Sequence, residues 1–260
     1  MMLNPITQCF ADLRARNRRA LVCYLTAGHP DEERSVELLR GVAGAGADLI
    51  EVGIPFSDPL ADGPVIQASS QQALAQGMTF DRALALIARA AVDVPVIVFS
   101  YLNPLLAAGP DALRRAADAG ASGVLVTDLP VGADPPREAW FGDSHLAFIR
   151  LVAPTTPAAR MAEIARHGSG FVYLISRLGV TGARAELPPE LPATVARLRA
   201  ATTLPICVGF GIARPEHAAS VGRLADGVVV GSALVDAAGR SVEEAVEFTA
   251  GIRRGLDGIQ

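Results

Sequence analysis

Eight short runs rich in β-branched and apolar residues, separated by stretches with helical spacing and punctuation, predict one closed (β/α)8 barrel of the TIM class over residues 1–260. The runs are almost continuously apolar, as parallel strands buried on both faces must be. Glycine-rich loops follow the late runs, whereas a doubly wound open sheet carries such a loop after its first strand. The chain has 260 residues, half of them hydrophobic, which suits a barrel core of about 250 residues.

Taken in order, an extra helix over Pro5–Arg16 precedes the first strand, Leu21–Leu25. Asp31 opens a helix that runs to Ala45, an acid being a favoured cap at that position. Strand two, Leu49–Val52, leads through a proline- and glycine-rich loop to an additional helix, Val65–Gln76, and then to the helix Thr79–Ala91. Strand three, Val96–Tyr101, is followed by the helix Pro110–Ala119, and strand four is Gly123–Thr127. The next segment holds two adjacent prolines, Pro135 and Pro136, between Gly132 and Gly142, so only a short helix of two turns near Pro136–Phe141 fits. Strand five, Ala147–Val152, is interrupted by Arg150, which is expected to face the helix layer and pair with an acid there. The remaining units are the helix Pro157–His167, strand six Phe171–Ile175, the helix Pro192–Ala200, strand seven Ile206–Val208, the helix Pro215–Val221 and strand eight Gly227–Val230. A short helix, Ala233–Ala237, and a last one, Val242–Gly255, close the chain.

Composition removes several kinds of chemistry. All 23 basic residues are arginine, so a Schiff-base lysine or a lysine-held pyridoxal group has no side chain to form on. The four histidines lack HxH or HExxH spacing, which speaks against a zinc site. Formal net charge is −4 without a long basic run, which gives nucleic-acid binding no footing. Cys9, Cys23 and Cys207 form no CxxC and suit a reducing compartment. An Arg-rich N-terminus without an apolar core, and no apolar run approaching 18 residues, lead to the expectation of a cytoplasmic chain.

The chemistry concentrates after strand two. Glu51 lies inside an apolar strand, where a carboxylate costs several kcal/mol unless paired or neutral. Asp62 lies at the far end of the following loop. Two acids on different supports facing one cavity suit acid–base work without metal or organic cofactor. Three late segments supply backbone N–H groups at the positions where barrels bind phosphate: Gly179-Val-Thr-Gly182, Gly209-Phe-Gly211 and Gly231-Ser232, the last opening a helix.

The run Glu51-Val-Gly-Ile-Pro-Phe-Ser-Asp-Pro-Leu-Ala-Asp-Gly-Pro-Val-Ile-Gln67 resembles the signature of the tryptophan synthase alpha chain family. The resemblance implies retro-aldol cleavage of indole-3-glycerol phosphate to indole and glyceraldehyde 3-phosphate. It assigns proton transfer to Glu51, the indole N–H to Asp62, and the phosphate to Gly182, Phe210, Gly211, Gly231 and Ser232. It further implies that Tyr173 orients Glu51, that Tyr24 and Tyr101 are aromatic pocket residues, and that Thr181 meets the Asp62 loop on closure. His29 stands where many members have Asp and reads as a surface turn residue. No cofactor is implied in this chain; pyridoxal phosphate is expected only in a partner beta chain, met through Ser57-Asp-Pro-Leu60 and Asn103-Pro104 in an alpha2-beta2 tetramer. Two other readings use the same residues: a stand-alone lyase releasing free indole, and a non-catalytic barrel that regulates a beta chain.

Overall fold

The computed structural model of the chain describes residues 3–175, 188–209 and 211–259. Eight parallel strands close into a barrel in sequence order, the first pairing with the last. They are β1 (Ala20–Thr26), β2 (Leu49–Gly53), β3 (Val96–Ser100), β4 (Ala121–Val126), β5 (Ala147–Val152), β6 (Val172–Ile175), β7 (Ile206–Gly209) and β8 (Gly227–Val230). Side chains alternate with period two. On β1, Ala20 and Val22 point into the barrel, while Leu21, Cys23 and Leu25 join the layer beneath the helices. The same alternation on β2 turns Leu49 inward and Ile50 and Val52 outward, so Glu51 and Gly53 face the interior.

The helices among the described residues are α1 (Pro5–Ala15), α2 (Glu32–Gly44), α3 (Pro64–Ala75), α4 (Phe80–Ala90), α5 (Leu102–Ala107), α6 (Ala112–Asp118), α7 (Pro135–Gly142), α8 (Ala158–Arg166), α9 (Leu191–Ala201), α10 (Pro215–Gly222), α11 (Ser232–Arg240) and α12 (Val242–Asp257). Helix α1 closes the N-terminal end of the barrel with Ile6, Phe10 and Leu13, and the Phe10 ring meets Phe171 at 5.6 Å. Its cap, Asn4, accepts from the Ile6 N–H at 2.9 Å and donates to the Ser122 carbonyl at 2.9 Å, which fastens the plug to β4.

Three sequence expectations change. Strand β3 ends at Ser100, so Tyr101 lies beyond it as the N-cap residue of α5, a helix not foreseen around Pro104. Proline is tolerated there because the first turn of a helix needs no N–H from it. The helix after β8 runs through Arg240, well past Ala237, since Gly239 lets α11 lie against the His29 ring; a β-carbon at Gly239 would stand 3.2 Å from His29 Nε2. His29 is therefore half-buried rather than a surface turn residue; its Nδ1 has no partner among the described residues, and burial lowers its pKa.

The short fourth-unit helix takes the expected form, eight residues with Asp134 capping the Arg137 N–H. Arg150 faces it. The guanidinium meets Glu138 of α7 at 2.8 Å and donates to the His167 and Leu129 carbonyls at 3.0 and 3.1 Å. It also lies 3.8 Å over the Phe148 ring, which stacks at 4.6 Å on the fully buried Phe141 of α7. An α7 too short to bury much apolar surface is held through a nearly dry ion pair, the two side chains being 5% and 9% exposed.

Candidate active site

At the C-terminal end of the barrel a cavity of about 390 Å³ opens between the loops after β2, β7 and β8. Glu51 and Tyr173 rise from its floor, Asp62 flanks it, and Gly211, Gly231 and Ser232 line its far side. Tyr24 and Phe99 form an aromatic wall, their rings edge to face at 5.2 Å. Ile66, Ile212 and Val229 complete an apolar lining.

Glu51 is 1% exposed, and neither carboxylate oxygen has a hydrogen-bond partner among the described residues. Burial without compensation pushes its pKa up to about 8. The orienting bond expected from Tyr173 is thus not formed. Tyr173 instead projects its hydroxyl over Gly209 of β7, where a β-carbon would overlap it. Tyr24 does the same over Gly53 of β2, two residues beyond Glu51. Each glycine leaves the room that a tyrosine hydroxyl needs against the neighbouring strand.

Asp62 is held by a local turn, its N–H donating to the Pro59 carbonyl at 3.0 Å, and by Gln67 of α3, whose amide donates to the Asp62 carbonyl at 2.9 Å. The side chain is 9% exposed. Burial raises its pKa to about 6, and a hydrogen bond from Tyr101 works in the opposite direction. A carboxyl titrating there is largely ionised at pH 7. Tyr101 does not line the cavity; it stands behind the Asp62 loop.

Of the three glycine-bearing segments, those after β7 and β8 lie within the described residues apart from Phe210. Gly211 adopts φ +84°, in the left-handed region that glycine enters freely. Gly231 is the N-cap residue of α11 and Ser232 its first residue, so the helix N-terminus opens onto the cavity. Thr181, Gly182 and Phe210 lie outside the described residues. Sequence reasoning passed over Phe99, Ile66 and Ile212. Phe99 was within reach of it, because period two from Ile97 turns it inward; Ile66 and Ile212 gave no signal, since helix and loop residues carry no such alternation. Among the described residues no cluster of three or more His, Cys, Asp or Glu is placed to hold a metal, and no helix is long and apolar enough to cross a membrane.

The family profile described as tryptophan synthase alpha chain matches residues 10–253. The tryptophan synthase alpha chain of Carboxydothermus hydrogenoformans is 46% identical over 248 residues, covering 94% of this chain and 93% of its own. That of Gluconacetobacter diazotrophicus is 48% identical over 237 residues, covering 90% and 86%. Among solved structures, Mycobacterium tuberculosis tryptophan synthase superposes with a TM-score of 0.91 at 35% identity, covering 98% of this chain and 99% of that one. Tryptophan synthase subunit alpha from Legionella pneumophila gives 0.90 at 35% identity, covering 99% and 100%. A profile match over nearly the whole barrel and relatives of this identity establish that the chain belongs to the tryptophan synthase alpha chain family, lyases that act on indole-3-glycerol phosphate in tryptophan biosynthesis.

Proposed function

We propose that Glu51 and Asp62 perform the cleavage of indole-3-glycerol phosphate by acid–base catalysis without a cofactor in this chain. The observation that carries this reading is the split between the two acids: one buried and titrating near 8, the other near 6, on one cavity. At neutral pH Glu51 holds a proton and Asp62 is charged. Glu51 delivers its proton to indole C3, and positive charge develops on the ring nitrogen, which the Asp62 carboxylate stabilises through the N–H. The C3–glycerol bond then breaks with its electrons flowing into the ring. The glycerol hydroxyl loses its proton to the Glu51 carboxylate, leaving the aldehyde. Indole and glyceraldehyde 3-phosphate are released and Glu51 is protonated again. The phosphate sits on the N–H groups at Gly211, Gly231 and Ser232, together with Gly182 and Phe210, and the indole against the Tyr24 and Phe99 rings, with Tyr173 beside it. Thr181 meets the Asp62 loop when the substrate is enclosed, which excludes water.

The partner in this reading is a tryptophan synthase beta chain carrying pyridoxal phosphate, in an alpha2-beta2 tetramer in the cytoplasm. Leu60, 92% exposed on the β2 loop, and Leu106 on α5 give the surface expected to meet it an apolar character. The test is release of glyceraldehyde 3-phosphate from indole-3-glycerol phosphate, with and without a beta chain. Slow cleavage that rises strongly on mixing supports the synthase reading. Fast cleavage by the chain alone points to a free-indole lyase, and no cleavage in either case removes the assigned chemistry.

A further inference from the structure

The Asp62 side chain must point into the cavity from a loop that has neither helix nor strand to hold it. One residue earlier, the Ala61 N–H donates to the Tyr101 hydroxyl at 2.9 Å. With that acceptor role filled, the hydroxyl proton remains available to the adjacent Asp62 side chain, whose charged form Tyr101 favours. Tyr101 itself is anchored to the barrel. Its carbonyl accepts from Ser100 Oγ at 2.8 Å, and the next N–H, that of Leu102, donates to Asp128 Oδ1 at 2.7 Å. Its ring lies 5.2 Å from that of Phe56 at the start of the same loop, and the residue is 4% exposed. It is nevertheless absent from the lining of the cavity.

We propose that Tyr101 is a positioning residue: through one hydroxyl it clamps the Ala61–Asp62 corner to the barrel and aims the Asp62 carboxylate at the substrate nitrogen. This rests on the Asp62 reading above and replaces the expectation that Tyr101 contacts substrate. The clamp favours the charged carboxylate, because a donor aimed at an oxygen stabilises the anion.

The test is Tyr101→Phe, which keeps the ring against Phe56 and deletes the hydroxyl, read by kcat and KM across pH beside Asp62→Asn. Tyr101→Phe is expected to melt like the parent and keep KM within about twofold, since the ring touches no substrate. It is expected to lose kcat, a misplacement of about 1 Å being able to remove about two orders of magnitude. The acid limb of kcat/KM is expected to rise by about one pH unit, a further loss of about fivefold at pH 6. A folded Tyr101→Phe with parental kcat and an unmoved acid limb, beside an inactive Asp62→Asn, overturns the clamp and leaves the role of Asp62 standing. An active Asp62→Asn overturns the Asp62 reading, and the clamp with it. Should Tyr101→Phe unfold, 3-fluorotyrosine at position 101 decides: a stronger donor of the same shape lowers the acid limb if the clamp operates and leaves it in place if not.

Discussion

Replacing Glu51 by Gln should abolish cleavage and stabilise the fold, increasingly so as pH rises. An ordinary glutamate titrates near 4.5 and Glu51 near 8. Across that interval the folded chain binds a proton that the unfolded chain has released. Stability therefore falls as pH climbs through the interval, the reverse of the usual behaviour of a paired carboxylate. The gap of about 3.5 pH units corresponds to about 5 kcal/mol lost above pH 8, of which about 3 has accrued by pH 7. Gln carries no titrating group, and its amide meets the same unpartnered surroundings at every pH, so that penalty cancels when one pH is compared with another. Between pH 6 and pH 9 the advantage of Glu51→Gln over the parent should widen by about 3 kcal/mol. For a chain of this size that is a growth of about 6–12 °C in the difference of melting temperature. Thermal and urea melts of both proteins at pH 6, 7, 8 and 9, paired with the glyceraldehyde 3-phosphate assay, measure it. Melting curves that stay parallel from pH 6 to 9 would refute the burial argument, and a variant cleaving at a tenth of the parental rate would refute the proton-transfer role, general acid–base groups contributing about 10²–10⁴-fold.

Two more outcomes follow from the same geometry. With Asp62 required charged and Glu51 required protonated, kcat/KM should describe a bell with limbs near pH 6 and pH 8, and a flat profile between pH 5.5 and 8.5 would contradict the assignment. Away from the cavity, Glu138→Ala should lower stability by about 3–5 kcal/mol by leaving the Arg150 guanidinium buried without its carboxylate, while Arg150→Met with Glu138→Leu should recover most of it; a urea midpoint unchanged in the single variant would mean that the pair is solvated.

The barrel was legible because its signals are periodic. Continuous apolar runs mark strands buried on both faces, and all eight lie within a residue or two of their expected bounds. Helix α5 escaped because six residues with a proline in the first turn carry too little periodicity to register. Glu51 was conspicuous as a charge inside an apolar strand, and Asp62 only through the motif around it, since an Asp before Gly is otherwise an ordinary turn residue. The partners of the tyrosines were not legible at all. Whether a hydroxyl turns to a carboxylate or over a glycine depends on the stagger between neighbouring strands, which pairs Tyr24 with Glu51 and Tyr173 with Cys207. His29 misled for a related reason: its surroundings come from α3 and from α11, the latter more than 200 residues further along the chain.

The two acids differ in support as well as in protonation, and the difference suits the role proposed for each. In the proposed cleavage Glu51 exchanges a proton with two substrate atoms, so it must stay at one place through both transfers. A strand in the middle of a closed barrel provides that, with apolar Leu49, Ile97, Val229 and the Tyr173 ring in the interior around it. The same enclosure withholds hydrogen bonds and makes Glu51 a weak enough acid to hold its proton at neutral pH. In the same proposal Asp62 transfers nothing and answers a charge that appears on the ring, so it must be ionised beforehand. Burial to a similar depth would defeat that purpose without a counterweight, and Tyr101, outside the cavity, lowers the Asp62 pKa against burial. A second strand carboxylate would have shared the dry interior of Glu51 and titrated with it. Placing the second acid on a loop that bends back within reach of a barrel-anchored hydroxyl separates the two protonation states while both face one substrate.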